Sequence, residues 1–247
     1  MKNHIFNIAA LAVLLASFTL TSCNKEKFYN LELDVNYKVA AADFAYDQVY
    51  TINGTAVSFQ LVQLYMSSIN IEDDGGMGHS FTDQYLLIKP GATAYDLGTF
   101  HKDFGGHLHK FNFNVGIDST TNSQTTETFT NRASSDPLSA QNPAMHWSWN
   151  SGYIFLKIDA MVDTTGDGTV DAVMEYHLGM NSMLRPVSIM AHSDLDKGDN
   201  HIHLNFDIAA LFTDVDFVND GSTHTMDNMP LAMKIANNLA TSFRKAD

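Results

Sequence analysis

The chain has 247 residues, 28 of them acidic against 14 basic, for a net charge of −14. No basic stripe exists to neutralise phosphates, which excludes a nucleic-acid partner; a bound cation or a cationic partner is allowed. A single cysteine excludes an internal disulfide framework.

The chain opens "MKNHIFNIAALAVLLASFTLTSC". Lys2 gives a positive start, Ile5 to Leu20 is an apolar run too short to span a membrane, and small residues lead into Cys23. This predicts a lipoprotein signal over residues 1–22, lipidation of Cys23 and a tether over residues 23–30. The expected location is extracytoplasmic, lipid-anchored to a bacterial membrane, on the periplasmic or the outer side.

Strand patterns dominate residues 31–247, which read as a single domain. "LELDVNYKV" (31–39) alternates, and "AVSFQLVQLYMSSINI" (56–71) is a longer β-rich run that stops at "EDDGG". "QYLLI" (84–88) ends at Pro90-Gly91. "HLHKFNFNVGID" (107–118) alternates, with Phe111, Phe113 and Val115 on one side. "YIFLKIDAMV", "AVMEYHLGM" (172–180), "RPVSIMA" (185–191) and "HIHLNFDI" (201–208) complete the set. Short strands between turn clusters predict an all-β, antiparallel β-sandwich. One short C-terminal helix is expected from Leu231, Ile235, Leu239 and Phe243 at helical spacing, with Pro230 near its start. A polar segment from Asp118 to Ala144 is long for a loop in a compact domain, and loops of that length are often functional.

That segment leads into "MHWSWNSGYIFLKIDA" (145–160), which holds both tryptophans. On a continuous strand Trp147, Trp149, Ser151, Tyr153 and Phe155 share one face and His146 lies on the other. An aromatic row is ordinary core material; it also suits removal of electrons from an indole by an external oxidant.

Eleven histidines are the second signal. His107/His109 and His201/His203 are H-x-H pairs, a spacing that directs two imidazoles to one face of a strand and suits copper or zinc. Parity puts His107 and His109 on the side of Phe111 and Phe113, at the rim of a core. It puts His201 and His203 opposite Ile202, Leu204 and Phe206, facing away from theirs. A third signal is "DTTGDGTVD", where Asp163, Thr165, Asp167 and Asp171 form a candidate calcium loop; it lacks the terminal bidentate Glu, so a Gly-rich hairpin that needs no metal is the preferred reading.

"LYMSSINI", "FNVGID", "DPLSAQNPAMHWSWNSGYIFLKIDA", "EYHLGM" and "IHLNFDIAALF" together resemble the MbnP-like proteins over nearly the whole of residues 31–247, and "MHWSWNSGYIFLK" is the most specific piece. The resemblance implies an all-β copper-binding protein that works with a di-haem, peroxidase-like partner of the MbnH/MauG type. It implies that Trp147 or Trp149 is oxidised to kynurenine, with copper beside it. His177 in "EYHLGM" and His224 in "HTMDNMP" are the ligand candidates it points to, together with His146 and the pair His201/His203. Met226, Met229 and Met233 could add soft sulfur for Cu(I). Some members carry a histidine near the position of Tyr37.

No G-x-S-x-G, H-E-x-x-H or P-loop occurs, so no enzyme is expected. The rival readings are a surface lipoprotein sandwich that binds glycan or protein without metal, and a metalloenzyme built on the same histidines.

Overall fold

The computed structural model describes residues 28–101, 104–147, 152–196 and 198–246. The expected signal segment, Cys23 and Trp149 lie outside them. In chain order the strands are β1 (Phe28–Val39), β2 (Ala42–Asp43), β3 (Val49–Ile52), β4 (Thr55–Asp73), β5 (Gly78–Ser80), β6 (Tyr85–Ile88) and β7 (Tyr95–His101). They continue with β8 (His107–Val115), β9 (Leu156–Val162), β10 (Ala172–Leu178), β11 (Arg185–Asp194), β12 (Gly198–Asp207) and β13 (Phe243–Lys245). The helices are α1 (Ser119–Asn122), α2 (Thr126–Thr130), α3 (Ile208–Leu211) and α4 (Met229–Ser242).

The all-β sandwich is as expected. One sheet has the order β13-β12-β1-β2, with β7 also on β1. The other has the order β10-β9-β4-β8-β11, with β3, β5 and β6 also on β4. Alternation does the sorting: Ile202, Leu204 and Phe206 are buried on β12, and Phe111, Phe113 and Val115 on β8. Such apolar rows from the two inner faces form one buried core. One ladder departs from the antiparallel expectation, because β1 runs parallel to β12 from Tyr29↔Gly198 to Lys38↔Asp207. Strand β1 also begins at Phe28, so residues 28–30 belong to the sheet and not to a tether.

The expected helix is α4. Asn228 caps it, its carboxamide oxygen accepting from the Leu231 amide at 3.4 Å, and Pro230 stands in its first turn, where a missing N–H costs nothing. Leu231, Ile235 and Leu239 are buried as the spacing requires. Phe243 lies just past the helix, in β13, and stacks on Phe206 at 4.5 Å. The long polar segment carries α1 and α2, which sequence patterning does not reveal because each is about one turn long.

Two parities are overturned, both at the edges of regular structure. On β8, Leu108 is buried while His107 and His109 are only half-buried, so the histidines do not share the face of Phe111. His109 is an extra residue relative to β4, where Glu72 pairs with Lys110 but Asp73 with Leu108. One inserted residue inverts which side every preceding side chain faces. The described residues on either side of Trp147 do not run as one strand. His146 pairs antiparallel with Tyr153, the Trp147 amide donates to the Gly152 carbonyl at 3.1 Å, and the Ile154 amide donates to the Met145 carbonyl at 2.9 Å. Trp147 and Tyr153 therefore sit on opposite arms of a chain reversal and do not share a row.

Candidate metal centre

Edge strand β10 carries the centre. Glu175 and His177 lie two residues apart on it and so project to one side. A short extended piece adds to the free edge of β10. The His177 amide donates to the Thr223 carbonyl at 2.8 Å, and the Thr223 amide donates to the Glu175 carbonyl at 2.9 Å. This pairing delivers His224. One ligand atom each from Glu175, His177 and His224 fall within 4.8 Å of one another. The two imidazole rings stand perpendicular, with centroids 4.8 Å apart.

The surroundings hold both rings. His177 is buried, and its Nε2 meets Asp159 Oδ1 of the neighbouring strand at 2.6 Å. Asp227 binds His224 twice, accepting from its amide at 2.6 Å and meeting its Nδ1 at 3.2 Å. Partial burial opposes ionisation of Asp227, but the amide and ring of His224 prevail and hold its carboxyl below the usual carboxylate range. Carboxylates on the outer nitrogen of a ligating imidazole fix its orientation and raise its basicity. Thr225 locks the seam, its hydroxyl donating to the His177 carbonyl at 3.0 Å and accepting from the Gly179 amide at 2.9 Å. Two imidazoles and a carboxylate, with carboxylates behind the rings, fit copper or zinc.

Trp147 lies beside Gly179, just past the end of the strand that carries this centre. It is 7% exposed, and its Nε1 lies 2.9 Å from where a β-carbon on Gly179 would stand. Gly179 is two residues beyond His177, so the missing side chain admits the indole to the strand that carries the ligands. Behind it is an aromatic group. His146 stacks on Phe129 at 4.2 Å and meets Tyr153 edge-on at 5.2 Å, and Tyr153 meets Tyr65 at 5.7 Å. Phe129 comes from α2, so the long polar segment covers the tryptophan arm.

Of the expected ligands, His177 and His224 come together. His146 does not join them, since its ring lies in the aromatic group and its Nδ1 meets the Trp147 carbonyl at 2.9 Å. His201 and His203 face away from the core as expected, on the other sheet. Their Nδ1 atoms share Asp34 Oδ2 at 2.9 and 3.3 Å, and neither residue joins a three-ligand group among the described residues. Met226 is exposed, and the Met233 sulfur accepts from Arg185 Nη2 at 3.7 Å. Tyr37 is buried on β1, packed edge-on against Phe206 at 5.3 Å.

The candidate calcium loop uses its carboxylates on itself. Asp163 accepts from the Gly166 and Gly168 amides, both at 2.7 Å, and Asp171 accepts from the Thr164 amide at 3.0 Å. Asp167 accepts from the Thr169 amide at 2.8 Å, and the Thr165 hydroxyl donates to Asp163 at 3.2 Å. Glu175, Asp159 and Asp227 escaped the sequence reading; the Glu175/His177 spacing on a strand was the available signal, while the other two become neighbours only through pairing and loop closure.

The MbnP family profile matches residues 28–229. The chain belongs to the MbnP family. Among solved structures, MbnP from Methylosinus trichosporium superposes with a TM-score of 0.57 at 14% identity, over 84% of this chain and 87% of that one, and so shares the fold. No curated protein matches. No helix among the described residues of this MbnP-family chain is long and apolar enough to cross a membrane.

Proposed function

We propose that this MbnP-family protein binds copper outside the cytoplasm, anchored by a lipid on Cys23, with Glu175, His177 and His224 as the protein ligands. In this reading the protein is the substrate of an oxidation and not a catalyst. A di-haem, peroxidase-like partner passes four electrons from one tryptophan to two equivalents of peroxide; the indole C2–C3 bond breaks with oxygen added at both carbons, water hydrolyses the resulting N-formyl group, and formate leaves kynurenine behind. The observation that carries the reading is the indole of Trp147 seated against Gly179, two residues from His177. The aniline nitrogen of a kynurenine formed there gives a neutral donor next to two imidazoles and a carboxylate, a set suited to copper. The rings of His146, Tyr153 and Tyr65, 5.2 and 5.7 Å apart in sequence, support a path for electrons leaving the buried side chain.

The test is peptide-level mass spectrometry of residues 145–157 on protein from its native host, with copper counted in the same sample. Loss of one carbon and gain of one oxygen at Trp147, with one copper that His177→Ala abolishes, is the expected result. The same change at Trp149 would move the reagent but keep the function. Intact tryptophans in cells that express a di-haem partner, and no copper, would overturn it. They would favour a metal-free binding module, for which a surface cleft lined by Phe81, Tyr85, Asp118 and Thr121 is the place to look.

A further inference from the structure

A second group of metal-type ligands converges elsewhere in the same sheet. One ligand atom each from Asp74, His109 and His192 fall within 4.8 Å of one another. The group lies at the far end of β4 from the first centre. His177 is level with Lys157 on β9, Lys157 with Gln63 on β4, and Asp74 follows the end of that strand. At about 3.3 Å of rise per residue the two groups are on the order of 30 Å apart along β4.

Three irregularities build it. His109 is the extra residue of β8 relative to β4. On its other side β11 bulges in turn, so that Ala191 and His192 together face His109 between the pairs Met190↔Lys110 and Ser193↔Leu108. Bulges re-aim side chains, and this one brings the His192 ring edge-on to His109 with centroids 4.8 Å apart. His192 adopts φ 42°, a left-handed conformation that a residue with a β-carbon rarely takes and that tends to mark a functional position. The third irregularity is the turn after β4. Buried Asp73 accepts from the Met77 amide at 2.8 Å and the Gly105 amide at 3.1 Å, pinning the turn. Its neighbour Asp74 is left to face the histidines.

The state of His109 points to a ligand. Its Nδ1 is shielded from solvent and has no hydrogen-bond partner. Asp74 Oδ1 is only 3.0 Å away, but out of line for a hydrogen bond. A buried ring nitrogen beside a carboxylate that does not hydrogen-bond to it is costly as it stands, and a cation between them would satisfy both. The flank is polar: His107 Nδ1 meets Asp194 at 2.7 Å, and Lys245 donates to the His192 carbonyl at 3.2 Å.

We propose that Asp74, His109 and His192 form a second metal site, for a divalent transition ion of borderline softness such as Zn²⁺ or Cu²⁺, separate from the centre at His177. Two imidazoles and one carboxylate, half exposed, leave coordination positions open to water. The site stands on its own geometry and needs no modified tryptophan.

The experiment is equilibrium dialysis of the full chain against buffered Zn²⁺, with metal counted per chain and thermal unfolding followed with and without Zn²⁺. The decisive variant is His192→Gly, because glycine accepts φ 42° without strain and removes only the imidazole. The expected result is that His192→Gly loses one equivalent of Zn²⁺, as does His109→Ala, while without metal His192→Gly melts no lower than the parent. His177→Ala keeps the equivalent that His192→Gly loses. The proposal is overturned if parent and His192→Gly bind the same number of ions, whether or not the first centre binds any.

Discussion

His224 stands perpendicular to His177, with ring centroids 4.8 Å apart, and each ring has a carboxylate behind it. Asp159 meets His177 at 2.6 Å and Asp227 meets His224 at 3.2 Å. The pair is thus oriented before any metal arrives.

Asp159→Asn tests that orientation. The fold should survive, since the residue is partly exposed, while copper affinity falls about 10–100-fold, the usual effect of removing an outer-shell partner. Competition against a chromophoric copper chelator measures it. His146→Ala, by contrast, should leave affinity unchanged, and a large loss there would place the metal on the other side of the tryptophan arm.

Gly179→Ala should be destabilising out of proportion to one methyl group. The new β-carbon would stand 2.2 Å from the Tyr153 carbonyl oxygen and 2.9 Å from Trp147 Nε1. Backbone cannot swing aside, so a cost of about 1–3 kcal/mol is expected. At roughly 2–4 °C per kcal/mol for a domain of this size, the melting temperature drops by several degrees. The tryptophan emission should shift with it; an unshifted spectrum would mean that Trp147 does not rest on Gly179.

Thr225→Val removes the hydroxyl that joins the two ligand-bearing segments while keeping the shape. It leaves the Gly179 amide and the His177 carbonyl each short of a bond, at about 1–3 kcal/mol for each buried group left unpaired. Melting temperature and copper affinity should fall together. A stability loss with full affinity would show that the seam does not set the ligand spacing.

Asp163→Asn should flatten the acid limb of the stability profile. Partial burial works against ionisation of Asp163, but the Gly168 and Gly166 amides and Thr165 outweigh it and depress its pKa. A carboxyl depressed by folding stabilises fully above its ordinary value of 3.8, and that contribution fades as pH falls through the depressed value. Melting curves between neutral pH and about pH 2 should show the parent losing more in this window than the variant, which starts lower at neutral pH.

Regular segments were legible from sequence and their interruptions were not. Alternation at Phe111, Phe113 and Val115, and at Ile202, Leu204 and Phe206, needs only a period of two, and burial follows it. His109 broke the same rule a few residues earlier, because an inserted residue looks like any other until a partner strand supplies the register. The tryptophan stretch misled similarly, since its parity assumed one strand where the chain turns back on itself. Of the first centre, His177 and His224 were named from the family resemblance, while Glu175, two residues before His177 on a strand, was signalled by its spacing and missed. The match of His224 to His177 depends on Thr223 pairing with β10, and that of His192 to His109 on a bulge, which are contacts between distant segments and leave no local period.

The parallel ladder between β1 and β12 bears on how the chain comes to be folded at all. Strand β1 sits between β7 and β12, and its longer pairing waits for residues near the far end of the chain. Contacts so distant in sequence carry a high loop-closure cost and slow the search for the native state. During synthesis, β1 must remain half-paired until Gly198–Asp207 follows. Until then its free edge is open to pairing with other chains, so the interval before completion is when this protein is most exposed to aggregation and most dependent on a holding chaperone.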